Sequence, residues 1–157
     1  MALNRGKQFE KKFSLDLKAT VPGIDINRIY DTVSGYKSVS NTSDFICYLY
    51  PNMFYLECKS CKGNTFPFSN LHQYDKLKLK VGIKGVRAGA VIWFREHNKL
   101  FYVPIKTFTK MMEDGKKSIN VNKSIEEGYR IIDVPSKIKR VFLDSDYSFL
   151  TSLEEGD

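Results

Sequence analysis

Three cysteines and two histidines are all that this 157-residue chain has to offer in thiols and imidazoles. An odd, small number of thiols excludes a disulfide scaffold and fits a reducing compartment. Cys58 and Cys61 form a Cys-x-x-Cys, yet a zinc site needs two more ligands, and Cys47, His72 and His97 have no paired spacing. A redox pair normally opens a helix after a strand, whereas Cys58 falls inside an expected strand. The cysteines therefore read as small buried hydrophobes. No apolar run approaches the roughly 20 residues of a membrane span. The N-terminal segment, with Arg5, Lys7, Glu10, Lys11 and Lys12, carries no apolar signal core. Export and insertion are not expected, no membrane partner is expected, and the cytoplasm is the expected location. Internal repeats and Gly-rich phosphate loops are also absent from the sequence.

What is present suits one domain spanning residues 1–157. The chain is long enough for a real core and too short for two comfortable ones. Hydrophobic residues make up 42% and charged residues 27%, an ordinary globular balance. A net charge of +7 and a pI near 9.2 favour a polyanionic partner, most often nucleic acid.

The most informative stretch runs from Asp44 to Lys59. Two runs dense in aromatic and branched residues flank Tyr50-Pro51-Asn52, which is turn chemistry, so a hairpin is expected. With the turn centred on Tyr50 and Pro51, position i faces position 101 minus i, and Asp44 stands opposite Glu57. A one-residue slip would leave them diagonal neighbours. Lys59 lies two residues beyond Glu57 and shares its face. Like charges placed directly opposite are destabilising, and buried charge is costly unless paired or metal-bound. A hard dication such as Mg²⁺ would remove the conflict, with Lys59 beside an attacking water or the phosphorus. The bland alternative puts Glu57 and Lys59 at the solvent rim of a sheet, with Asp44 merely starting a strand.

Elsewhere, Phe9, Phe13 and Leu17 mark one stripe of a first helix from residue 4 to about 19, ended by Pro22-Gly23. Glu10 lies beside that stripe, at the edge of the buried face or pairing with a neighbour in solvent. Ile24 to Val33 alternates like a strand, and 34–43 reads as a polar loop. That loop is either a connector or a DNA-contacting finger bearing Tyr36 and Lys37. The hairpin strands are apolar on both faces, as a sheet covered on both sides requires. A second helix is expected from an N-cap at Ser69 to Gly82, with Leu71, Tyr74, Leu77 and Val81 inward. On it Lys76, Lys80 and Lys84 would step along one face, as a solvated row or as a track for phosphates. Strands are expected at 88–94 and 100–103, with Trp93 in the core. A short helix is expected at 107–113, with a basic loop at Lys116 and Lys117 after it. Short strands are expected near 129–134 and 139–143. Residues 150–157 read as a frayed acidic tail.

The order helix, Asp…Glu-x-Lys strands, helix, strand resembles the PD-(D/E)xK nuclease superfamily. More narrowly, the chain resembles the RecU-type Holliday junction resolvases of low-GC Gram-positive bacteria and their phages. The matching stretches are Asn4-Arg5-Gly6 with Glu10, Asn41-Thr42-Ser43-Asp44-Phe45, and Tyr55-Leu56-Glu57-Cys58-Lys59. Thr65-Phe66-Pro67-Phe68-Ser69-Asn70-Leu71-His72 and Gly115-Lys116-Lys117-Ser118-Ile119 follow in the family order. Glu-x-Lys alone is common; the downstream blocks make the match specific.

The resemblance implies an α/β fold with a restriction-endonuclease-like core, a central mixed β-sheet flanked by α-helices. It also implies a Mg²⁺-dependent homodimer, with Mn²⁺ able to substitute, that nicks branched DNA symmetrically and leaves 5′-phosphate ends. Carried over by position, Asp44, Glu57 and Glu10 would hold metal and Lys59 would serve the attacking water. Thr42 would touch the scissile phosphate or the metal's waters. Gln73 matches a family glutamine, although ungapped spacing puts Asp75 there. Arg5, Lys7, Tyr36, Lys37, Lys62, Lys76, Lys80, Lys116 and Lys117 are the expected DNA contacts. The segment before Asp44 is shorter than in the bacterial enzymes, so 34–43 would be a reduced stalk. The competing readings are a nuclease for duplex or flapped DNA and a non-cleaving recombination accessory protein. The same resemblance leaves open a recombinase or helicase as protein partner.

Overall fold

A computed structural model describes residues 4–30, 32–34, 37–39 and 41–157, the two short central pieces as backbone only. Helix α1 (Arg5–Thr20) begins where the Asn4 side chain accepts a hydrogen bond from the Lys7 backbone N–H at 3.1 Å. That bond satisfies one of the donors a helix start leaves open. Phe9, Phe13 and Leu17 are buried as the spacing predicts, each stabilising by roughly 1.5–3 kcal/mol. The helix closes where Val21 N–H bonds back to the Leu17 carbonyl and Gly23 takes a positive φ of 80°.

The chain then forms β1 (Asp25–Arg28), β2 (Thr32–Ser34), β3 (Lys37–Val39), β4 (Phe45–Leu49) and β5 (Asn52–Cys61). The strand expected over Ile24–Val33 thus splits in two. The segment expected as a loop contains one arm of a β2–β3 hairpin, with Thr32 opposite Val39. β6 (Thr65–Pro67), α2 (Tyr74–Lys78), β7 (Val86–Phe94), β8 (Lys99–Pro104) and α3 (Ile105–Glu113) follow. The last elements are β9 (Ser118–Asn120), β10 (Ile132–Asp133), β11 (Ser136–Ile138) and β12 (Leu143–Ser145).

Among the described residues the main sheet has six strands in the order β1-β4-β5-β7-β8-β10. β5 and β7 are parallel and the other pairs antiparallel, so the sheet is mixed. One face packs on α1 and the C-terminal segment through Phe13, Phe45, Phe54, Leu56 and Tyr147. The other packs on α3 and the β6–β9 ribbon through Ile92, Phe94, Phe101, Phe108 and Ile119. This is the expected α/β architecture, and Trp93 is in the core, 3% exposed.

Three expectations are corrected. The second helix does not run to Gly82: a 3₁₀ turn covers Phe68–Asn70 and α2 is five residues long. Only Leu77 is buried on α2, too little apolar anchorage to offset the cost of a longer helix, and Gly82 and Gly85 both take positive φ. Lys76, Lys80 and Lys84 therefore do not share one helical face. Second, β4 is covered on one side only, since Tyr48 is exposed while Phe45 and Cys47 are buried. Third, the C-terminal segment is not frayed. Leu153 is buried, Glu155 reaches Arg87 at 3.3 Å, and Asp157 pairs with Arg130 at 3.0 Å. Acidic side chains expected to be solvated find a cationic surface that only the folded chain assembles.

Candidate active site

The site begins with the register of β4 and β5. Phe45 faces Leu56 and Tyr48 faces Met53, so positions sum to 101 and Asp44 comes opposite Glu57 just beyond the last ladder pair. The two residues interlock. Asp44 N–H donates to Glu57 Oε2 at 3.0 Å, and Cys58 N–H donates to Asp44 Oδ2 at 2.9 Å. Leu56 and Cys58 point into the layer under α1, so strand alternation turns Glu57 and Lys59 to the opposite face. There Lys59 Nζ lies 3.2 Å from Glu57 Oε1.

Glu57 is 2% exposed. Burial, then the charge of Asp44, pushes its carboxyl up to about 8, against the pull of Lys59. Burial also raises Asp44, offset by the Cys58 N–H, Lys59 and Arg28. Once both are ionised, the two acids carry more negative charge than one ammonium neutralises. Their free lone pairs are hard oxygens, the donor set that suits Mg²⁺ in its usual mode of one or two carboxylates completed by water. The residues present fit such an ion at Asp44 and Glu57.

Glu10 arrives from α1. Its carboxyl is raised by burial and by the charge of Asp44, which puts it within electrostatic reach of the pair. Its direct partner, however, is Arg28 at the end of β1, a close ion pair. Among the described residues no group of three or more His, Cys, Asp or Glu side chains stands close enough to hold a metal together. Glu10 is therefore beside the pair and committed to a guanidinium.

Arg28 is the site residue that sequence reasoning missed. It faces Phe45 across β1 and β4, and its guanidinium stacks over the Phe45 and Tyr30 rings at 5.6 and 4.8 Å. No local spacing reveals it, because the pairing of β1 with β4 brings it there.

Thr42 is half-buried two residues before Asp44. Gln73 immediately precedes α2, and its side-chain oxygen is buried without a hydrogen-bond partner among the described residues. The Thr65–Leu71 and Gly115–Ile119 blocks do meet, through β6–β9 pairing and a Phe68 N–H to Lys117 carbonyl bond at 3.0 Å. Arg5 and Lys7 lie in the first turn of α1, and Lys62 and Lys117 are exposed. Lys116 pairs with Glu127 at 3.2 Å. Lys80 rests over the Tyr55 ring at 5.2 Å, and Lys76 is exposed on α2. Tyr36 lies outside the described residues, and Lys37 is described as backbone alone. A cleft of ≈ 470 Å³ between α3 and the C-terminal segment shares no residue with the carboxylate pair. The thiols are free, with Cys47 and Cys58 buried.

A mixed sheet in which an aspartate opposes the glutamate of a Glu-x-Lys strand defines a protein of the restriction-endonuclease-like class. The family model for Recombination protein U matches residues 4–144, and the chain belongs to that family. Among solved structures it is similar to Hjc, a Holliday junction resolvase from the archaeal hyperthermophile Archaeoglobus fulgidus. That match has a TM-score of 0.54 at 16% identity and covers 74% of this chain and 89% of that one, a likeness of fold. No curated protein matches the sequence significantly.

Proposed function

We propose that this protein is a Mg²⁺-dependent endonuclease that resolves four-way DNA junctions by paired nicks during recombination. The observation that carries the reading is the interlocked Asp44–Glu57 pair with Lys59 3.2 Å away on the same face, in a Recombination protein U family member. Asp44 and Glu57 would hold the cation, and Glu10 stands beside them. When bound, Mg²⁺ or Mn²⁺ supplies Lewis acidity at a phosphoryl oxygen and makes water a stronger acid. Lys59 orients the attacking water and offsets charge developing on the phosphate. Arg28 pairs with Glu10 and offsets part of the rise that burial and Asp44 impose on its carboxyl. Thr42, on the loop entering β4, and Gln73, whose side-chain oxygen has no partner among the described residues, would serve as supporting polar contacts.

A homodimer follows from the substrate, because two sites must meet two strands of like polarity, which a two-fold axis accomplishes. DNA as substrate puts the enzyme in the cytoplasm. The test is cleavage of a labelled synthetic four-way junction. Lys59→Ala and Asp44→Asn should each lower the rate by at least ~10²-fold while binding in chelator persists. Variants that cut as well as the parent would sink the assignment.

A second reading concerns the substrate. β2 and β3, three residues each, are the only described strands between β1 and Asp44, a short arm for entering a branch point. Comparing junction, duplex and flap oligonucleotides decides between a resolvase and a nuclease for simpler DNA.

A further inference from the structure

The hairpin of β11 and β12 is a surface that the catalytic reading leaves unused. Residues 135–141, Pro-Ser-Lys-Ile-Lys-Arg-Val, are exposed without interruption. Ile138 is 67% and Val141 48% exposed, on either side of Lys139 and Arg140. A run of this kind is often just a solvated turn. This one stands on a rigid stem. Ser145 N–H donates to Asp16 Oδ2 at 3.0 Å, and Lys12 bridges Asp16 and Asp144 at 2.6 and 2.7 Å. Leu143 is buried, and the Ser136 and Ser145 hydroxyls bond at 2.8 Å. The turn is closed by Lys139 N–H to the Phe142 carbonyl at 3.1 Å.

The stem also fixes where the tip lies. Phe142 packs on Trp93 at 5.2 Å between ring centroids, and Trp93 on Phe9 at 5.5 Å. Phe9 precedes Glu10, so two ring contacts link the hairpin to the part of α1 that carries Glu10. Arg140 lies in the turn between β11 and β12, two residues before Phe142. The stem thus stands on the side of the sheet that α1, the helix carrying Glu10, covers.

We propose that this hairpin is a DNA-gripping finger: Lys137, Lys139 and Arg140 seat the phosphate backbone of the duplex arm beside the cleavage point, and Ile138 and Val141 meet its groove edge. The inference rests on the nuclease reading above. Charge selects the occupant. Residues 136–145 carry three cations and one carboxylate, Asp144, which Lys12 already shares and Lys139 approaches at 3.5 Å. A two-fold contact with a second copy would set the hairpin against its own image, cation on cation. A phosphate backbone is complementary, and cationic arms with aliphatic tips suit a groove.

The experiment is fluorescence anisotropy of the full-length protein in chelator on a labelled four-way junction and a matched duplex across a salt series. Against the parent, the Lys137→Ala/Lys139→Ala/Arg140→Ala triple variant should weaken binding at least ~10-fold and flatten the log K against log[salt] slope by about 2–3 units. Arg140→Gln alone should flatten it by about 0.9. Ile138→Ser/Val141→Ser should weaken binding and leave the slope unchanged. Melting temperatures matching the parent establish that the exposed substitutions leave the fold intact, and Arg140→Gln serves if the triple variant is unstable. A triple variant matching a tightly binding parent overturns the finger and leaves the nuclease reading standing. Loss of the dimer with DNA binding unchanged overturns it in favour of a protein interface. A parent that binds neither DNA overturns both proposals.

Discussion

Glu57 concentrates the conflict built into this protein at the scale of a single residue. Its carboxyl is buried and faces Asp44, which raises it to about 8. The sign of the pH effect follows. The folded state holds a proton that the unfolded state, with an ordinary carboxyl, has released, so without metal stability falls as pH rises from the ordinary value toward about 8. Thermal melting in chelator should show that decline, Glu57→Gln should flatten it and raise the melting temperature, and added Mg²⁺ should stabilise the parent more at pH 8 than at pH 6. A parent whose melting temperature is indifferent to pH and Mg²⁺ would contradict the picture. Arg28 works on the same charges from β1. Arg28→Ala leaves Glu10 without its partner and should cost about 1–3 kcal/mol in denaturant unfolding, a loss that Glu10→Gln in the same chain should partly restore.

At the scale of elements, β7 and the C-terminal segment hold the frame. Residues 88–90 of β7 are Ala-Gly-Ala, and at Gly89 the space is taken by a ring on the adjacent strand. A Cβ at Gly89 would come within 2.5 Å of the Tyr102 ring, whose hydroxyl donates to the Asp157 carbonyl at 2.9 Å. Gly89→Ala should therefore destabilise by about 1–3 kcal/mol through overpacking, measured by urea unfolding. Leu153 joins the cluster beneath α1, so Leu153→Ala should cost about 2–5 kcal/mol while the purified folded variant keeps its cleavage rate. Acidic residues at a chain end read as solvated because no local pattern announces Arg87 and Arg130 as their partners.

For the whole molecule, the excess of +7 should appear as steeply salt-dependent DNA affinity, log K falling by about 0.9 for each phosphate contact. A flat dependence would remove the basic surface from the account. Sedimentation at working concentration should show a dimer, and a monomer there would argue against paired nicking.

The register of the central hairpin was decided locally: aromatic runs either side of Tyr-Pro-Asn, with period-two alternation, suffice to set Asp44 against Glu57 and Lys59 beside it. The stripe of α1 and the burial of Trp93 were legible for the same reason, since periodicity reports which side of an element is covered. Long-range pairing is another matter. β1 lying beside β4 brings Arg28 onto Glu10, a crossover through β6 and α2 sets β7 parallel to β5, and β6 meets β9 across more than fifty residues. Those contacts, like the docking of the acidic end and the pinning of the β11–β12 stem to α1, depend on which surfaces remain uncovered once the sheet has formed. Local preference carries no record of that, and the tertiary structure alone decided it.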